Sequence, residues 1–173
     1  ELYLHHFIFL AMESHGLEQA AVERVRRYWG HMAFTGTPTL WENYIGKRGK
    51  EAIPVNIGSL CHGFASSPIG VLQRNLLGVR PTKPGFKEFS FAPKSCGLQF
   101  AWGRVPTPAG DICVKWTADH DVLRATLTIP SGLSAKLADG SKLQPGRHEI
   151  CISENSLHAK PHLPPRVEEL QLA

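Results

Sequence analysis

The chain has 173 residues, 19 Lys plus Arg against 15 Asp plus Glu and a formal charge of +4, which suits one ordinary domain or a small domain with an incomplete companion. Apolar residues make up 42%, enough for a packed core and too many for wholesale disorder, and no run of about eighteen apolar residues is present to span a membrane. The basic excess is mild and scattered. Its densest cluster, Arg24, Arg26 and Arg27, reads as a solvated helical arc with Glu23 as the (i, i+4) partner of Arg27, so no nucleic-acid partner is expected.

Residues 1–10 are apolar but have neither a basic leader nor a small-residue cleavage site, so a signal peptide is not expected. The compartment stays open, with the cytoplasm favoured. The absence of an initiator Met and a start in mid-pattern suggest part of a longer chain. Leu2, Tyr3, Phe7, Leu10 and Ala11 make a helical stripe that Leu4, Ile8 and Phe9 widen nearly all the way round, which predicts a first helix buried on most sides. A break at Ser14-His15-Gly16 precedes a second helix over 17–33, with Leu17, Ala20, Ala21, Val25, Tyr28, Trp29 and Met32 at helical spacing. A Gly/Pro/Thr-rich loop over 35–56 is too long for a simple connection and is suspect as a functional loop. A third helical segment is predicted over 59–77, with Pro68 as a kink or a new helix start and Gly78 as the stop.

The composition changes near residue 80. Ten of the thirteen prolines and every Asp lie beyond it, and the periodicity turns to two. Six short strands are predicted, at 86–91, 98–105, 111–117, 122–129, 133–137 and 147–152, separated by turn residues such as Pro106-Thr107-Pro108-Ala109-Gly110 and Asp139-Gly140. Close spacing of such strands predicts an antiparallel β-sandwich. The fold class is therefore α+β, with helices over 1–79, a sandwich over 80–155 and a Pro-rich tail over 156–173.

Few residues stand out as chemistry. The four cysteines, Cys61, Cys96, Cys113 and Cys151, are too far apart for a zinc ribbon or a redox pair and read as small buried hydrophobes, with one long-range disulfide as an alternative. The nine His form no metal-ligand pattern, so neither a metal nor any other cofactor is expected. Glu13, Glu18 and Glu23 read as exposed helical acids. Glu42 differs, lying in an aromatic loop, Thr39-Leu40-Trp41-Glu42-Asn43-Tyr44, where a Trp could stack on a sugar face. On the residues alone it still reads first as an exposed acid beside a core Trp. In Ser59-Leu60-Cys61-His62-Gly63, a helical turn would splay Cys61 and His62 about 100° apart, a poor nucleophile and base, so His62 reads as a hydrogen-bonded histidine. Gly46-Lys47-Arg48-Gly49-Lys50 lacks the order of a phosphate loop. Trp102 and Trp116 could form a binding platform but read first as core.

Taken together, five ordered segments resemble bacterial α-L-rhamnosidases of glycoside hydrolase family 78. They are Arg26-Arg27-Tyr28-Trp29-Gly30, Thr39-Leu40-Trp41-Glu42, Ser59-Leu60-Cys61-His62-Gly63-Phe64, Leu77-Gly78-Val79-Arg80-Pro81 with Pro84-Gly85-Phe86, and 103–110. The resemblance implies that 1–79 are the last helices of an α/α barrel of six helical hairpins, followed by a carboxyl-terminal sandwich. It implies an inverting glycosidase acting on terminal L-rhamnose of glycosides or polysaccharides, with Glu42 as general base, and Trp41 and His62 as sugar-contacting residues. The stretch that supplies the family's general acid lies in earlier barrel helices and has no counterpart here, so the chain alone is expected to be inactive. Its expected partners are the missing barrel portion, or a second copy covering the exposed helices, together with the rhamnoside. From a different class, a non-catalytic sandwich module that binds sugar or self-associates accounts for the same composition.

Overall fold

The computed structural model describes residues 2–34, 36, 38–43 and 58–154. The greater part of the predicted functional loop, its 46–50 segment and the 156–173 tail lie outside the described residues.

Two helices open the chain, α1 at His5–Ser14 and α2 at Glu18–Phe34. Gly16, at φ +70°, turns the chain between them in the left-handed conformation that glycine adopts without steric cost. The buried face of α1 is the row His5, Phe9 and Glu13, joined by Leu2, whereas Tyr3, Leu4, Phe7 and Leu10 are exposed. Burial on most sides is therefore not observed, because the described chain supplies neighbours on one side of α1 only. On α2 the buried apolar residues are Ala21, Val22, Trp29 and Met32, while Ala20 faces out.

The predicted third helix resolves into shorter pieces. Residues 58–62 are not helical. A 3-10 turn at Gly63–Ser66 leads into the five-residue α3 at Ser67–Val71, with Pro68 in its first turn, followed by a π-helical turn at Leu72–Leu76. That wide turn closes through the Leu77 N–H donating to the Leu72 carbonyl at 3.0 Å. Gly78 ends the segment at φ +69°, and any side chain there would overlap the backbone of Ala92 and Pro93. These pieces join α1 and α2 in one apolar cluster around Phe9, Trp29, Trp41, Ala65 and Val71. The indole N–H of Trp29 donates to the Ala65 carbonyl at 2.8 Å, which satisfies it inside that cluster.

Among the described residues eight strands follow: β1 Val79–Pro81, β2 Glu88–Phe91, β3 Phe100–Thr107, β4 Gly110–Asp119, β5 Val122–Ile129, β6 Ser134–Lys136, β7 Lys142–Leu143 and β8 Gly146–Ser153. They form two four-stranded sheets, ordered β1-β2-β6-β7 and β3-β4-β5-β8. The chain is α+β with a sandwich, as its composition shift predicts. Two strands, β1 and β7, escape the period-two signal because three and two residues are too few to show alternation. The sheets are not wholly antiparallel, since β2 pairs β6 in parallel, with Glu88 opposite Ser134. The alternation of β5 puts Leu123, Ala125, Leu127 and Ile129 inward, where they meet Phe89, Phe91, Ile112, Val114 and Trp116. Burying each of these larger side chains contributes about 1.5–3 kcal/mol.

Polar contacts tie the helices to the sandwich. The Trp116 indole N–H crosses to the Leu76 carbonyl at 2.6 Å. Glu13, predicted to be exposed, is instead buried and accepts from Arg74 Nε and Nη2 at 2.7 and 3.1 Å, from Asn75 Nδ2 at 3.3 Å and from Arg80 Nη1 at 3.4 Å. Glu18 is also buried, paired with Lys94 at 2.8 Å. Both acids sit inside because arginines or a lysine from distant sequence neutralise them there. Glu23 is exposed as expected, and it pairs with Arg26 at 3.7 Å rather than with Arg27.

The cysteines correct a further expectation. All four are free, Cys61 and Cys151 are exposed, and Cys96 and Cys113 are half-buried. Burial, and secondarily the carboxylates of Glu154 and Glu18, push the Cys96 thiol up to about 12.

Candidate active site

Glu42 and His62 are twenty residues apart in sequence, and short backbone pairing brings them together. The Glu42 N–H donates to the Ser59 carbonyl at 2.9 Å, the His62 N–H to the Leu40 carbonyl at 2.8 Å, and the Thr39 hydroxyl to the Leu60 carbonyl at 2.6 Å. The Leu2 N–H donates to the Glu42 carbonyl at 3.1 Å, fixing the entry to α1 beside the same strip. Two short irregular segments thus lie side by side next to the start of α1.

The Glu42 carboxylate is oriented by the backbone. Its Oε2 accepts the Ser59 N–H at 2.9 Å. The approach is so close that Gly58, at φ +79°, leaves no space for a β-carbon, which would collide with Oε2. Among the described residues no hydrogen bond engages Oε1. A side-chain hydroxyl stiffens the other segment: Ser59 Oγ donates to the Cys61 carbonyl at 2.9 Å and accepts the Cys61 N–H at 3.1 Å.

Glu42 and His62 line one cavity of about 240 Å³, completed by Tyr3 and Phe64. The Phe64 ring meets His62 edge-on at 5.1 Å and Tyr3 at 5.3 Å. The cavity therefore holds a proton acceptor, an imidazole and two aromatic walls, with no second carboxylate among its described lining. Such a set can bind a polar ring with an apolar face and take a proton from a water held against it.

Two expectations for this region need revision. His62 has extended backbone, at φ −131° and ψ 107°, so it and Cys61 do not lie on a helix. Trp41 does not line the cavity. It is 1% exposed, its backbone N–H donates to Met32 Sδ at 3.5 Å, and its ring belongs to the helical core behind Glu42. The lining residues missed by sequence reasoning are Tyr3 and Phe64. Tyr3 is absorbed into the predicted apolar stripe, and nothing local distinguishes it from a core residue.

Comparison with known proteins gives the chain its family. Residues 78–147 match the bacterial alpha-L-rhamnosidase C-terminal domain. An alpha-L-rhamnosidase of Alteromonas sp. (strain LOR) is 30% identical over 130 residues, which cover 74% of this chain and 14% of that protein. The native α-L-rhamnosidase of Aspergillus terreus superposes with a TM-score of 0.72 at 21% identity, over 85% of this chain and 18% of that one. A family 78 rhamnosidase of Bacillus sp. GL1 gives 0.63 at 26% identity, over 81% of this chain and 15% of that one. The chain thus spans only about one seventh of the length of the curated relative. It belongs to the α-L-rhamnosidase family, as a carboxyl-terminal part of such a protein whose sandwich is the family's C-terminal domain.

Proposed function

We propose that this chain contributes the general base and part of the sugar-binding wall of an inverting α-L-rhamnosidase acting on terminal L-rhamnose of glycosides or polysaccharides. The observation that carries the reading is the shared cavity of Glu42 and His62, with the Glu42 carboxylate held by the Ser59 N–H. In this reading Glu42 takes a proton from a water as the water oxygen attacks the anomeric carbon. The glycosidic C–O bond breaks, and the departing oxygen takes a proton from an acid on a preceding segment. His62 holds a sugar hydroxyl or that water, Tyr3 and Phe64 offer aromatic surface, and Trp41 supports Glu42 from the core. Inversion requires the two carboxyls roughly 6.5–9.5 Å apart across the sugar. The cavity supplies one among its described lining, so the isolated chain is inactive. The exposed Leu4, Phe7 and Leu10 face is then where the rest of an α/α barrel, or a second copy, would pack.

In a longer protein that contains this segment, Glu42→Gln is expected to lower kcat on an aryl rhamnoside by about 10²–10⁴-fold. Near-normal turnover would refute the base assignment. Robust turnover by the 173-residue chain alone would refute its dependence on a second segment.

A further inference from the structure

The outer face of the sheet β3-β4-β5-β8 carries aromatic and basic groups that neither the core nor the cavity uses. Side chains two apart on a strand share a face, and paired residues lie side by side across it. Phe100 and Trp102 both point outward from the edge strand β3, and Trp102 is 73% exposed. Across the sheet, Trp102 is paired with Lys115 and Lys115 with Thr126, while Phe100 is paired with Thr117 and Thr117 with Arg124. Each aromatic ring is therefore followed, one or two strands on, by a hydroxyl and a cation.

The charges on this face are not balanced. Among its carboxylates, Asp111 is engaged with Arg104 at 3.3 Å and Glu149 with Arg147 at 3.0 Å and the Thr126 hydroxyl at 2.8 Å, while Asp119, at the end of β4, meets the His120 ring at 3.8 Å. No carboxylate pairs with Lys115 or Arg124 among the described residues, and Arg124 Nη1 reaches only Cys151 Sγ at 3.6 Å. The face as a whole carries Arg104, Lys115, Arg124 and Arg147 against Asp111, Asp119 and Glu149, one cation in excess.

We infer that this face is a second carbohydrate-binding surface, and that its ligand is an acidic polysaccharide bearing uronate carboxylates. Aromatic rings exposed on a sheet face receive the apolar faces of sugar rings, the threonine hydroxyls meet sugar hydroxyls, and the two unengaged cations meet carboxylates. A nucleic acid is matched less well, since two free cations fall short of the basic stripe or groove that a phosphate backbone needs. The surface lies on the sandwich, apart from the Glu42 cavity, and its occupancy does not depend on the catalytic reading.

The test is binding of the full chain to polygalacturonate, by affinity electrophoresis and calorimetry, with dextran as the neutral probe. Polygalacturonate should bind and dextran should not. Trp102→Ala should weaken binding about tenfold, and Lys115→Ala with Arg124→Ala should weaken it and flatten its dependence on salt. Because Trp102 and Lys115 are exposed, these variants should melt with the parent chain, and Trp102→Phe should retain most of the affinity. Four outcomes would overturn the inference: no binding of polygalacturonate, binding unaffected by Trp102→Ala, equal binding of dextran, or tighter binding of single-stranded DNA or of phosphatidylserine vesicles.

Discussion

Replacing Glu13 by Ala should be among the most damaging single changes in the helical half. The Glu13 side chain is 3% exposed and receives both Arg74 nitrogens, Asn75 and Arg80. Removing one member of a buried ion pair costs about 3–5 kcal/mol, because the remaining charge stays desolvated. Two observations lower that figure here. Arg80 is 36% exposed and can turn to water, so its share is small, and Arg74 at 21% is only partly stranded. What remains is the Arg74 guanidinium and the buried Asn75 amide, for an expected loss of about 2–4 kcal/mol. At this chain length that corresponds to a fall in Tm of roughly 4–16 °C. Urea unfolding followed by far-ultraviolet circular dichroism measures it, with Glu23→Ala as the internal control. Glu23 is exposed and pairs with Arg26 at 3.7 Å, so its loss should cost less than about 0.5 kcal/mol. The Glu13→Ala and Arg74→Ala losses should also be strongly non-additive, coupled by about 1–3 kcal/mol. Equal, small losses from Glu13→Ala and Glu23→Ala would show that the buried carboxylate does not hold the helices to the sandwich.

Three further outcomes are expected. Since burial pushes the Cys96 thiol up to about 12, from 9.0 ordinarily, it should stay unmodified by iodoacetamide at about pH 8 while exposed Cys61 and Cys151 react. For the same group the unfolded chain loses its proton first. The stability from Cys96 is therefore complete below pH 9.0 and lost as pH rises towards about 12, a decline that Cys96→Ala should reduce in pH-dependent melts. Gly58→Ala forces a β-carbon onto the Glu42 carboxylate at a φ of +79°; in a longer, active protein kcat should fall by up to about 10²-fold while KM moves little, and an unchanged kcat would show that this carboxylate is not positioned for chemistry.

The sandwich is legible where alternation runs unbroken. In β5 the inward residues recur at every second position, and its predicted bounds match those observed. In β3 the periodic signal stops at Pro106, which reads as the start of a turn. The strand continues through Thr107, because an edge strand tolerates a proline that donates no ladder bond, and the turn is Pro108-Ala109. Trp102 and Trp116 are equally aromatic in sequence, yet Trp116 turns into the core and Trp102 into solvent, a difference set by register. The burial of Glu13 is invisible for another reason. Its partners lie 61 to 67 residues downstream, and local periodicity sees only i+3 and i+4. Glu42 and His62 stand out only through family resemblance, since the pairing of 39–42 with 59–62 that brings them together has no periodic signature at so few residues. Trp41 is expected at the sugar and lies instead in the core, which an aromatic's identity alone does not decide.

The parallel pairing of β2 with β6 has a consequence for synthesis on the ribosome. Glu88 meets Ser134, a partner made about 46 residues later, after the whole β3-β4-β5 meander. At about 5–20 residues per second, β2 waits roughly 2–9 s beside β1 before its other edge is covered. During that interval β2 keeps one edge unpaired, while the β3-β4 and β4-β5 hairpins can close locally. The order of assembly that follows is hairpins first and the mixed sheet last. The early β1-β2 ribbon is then the stretch of this chain most open to capture by another nascent strand.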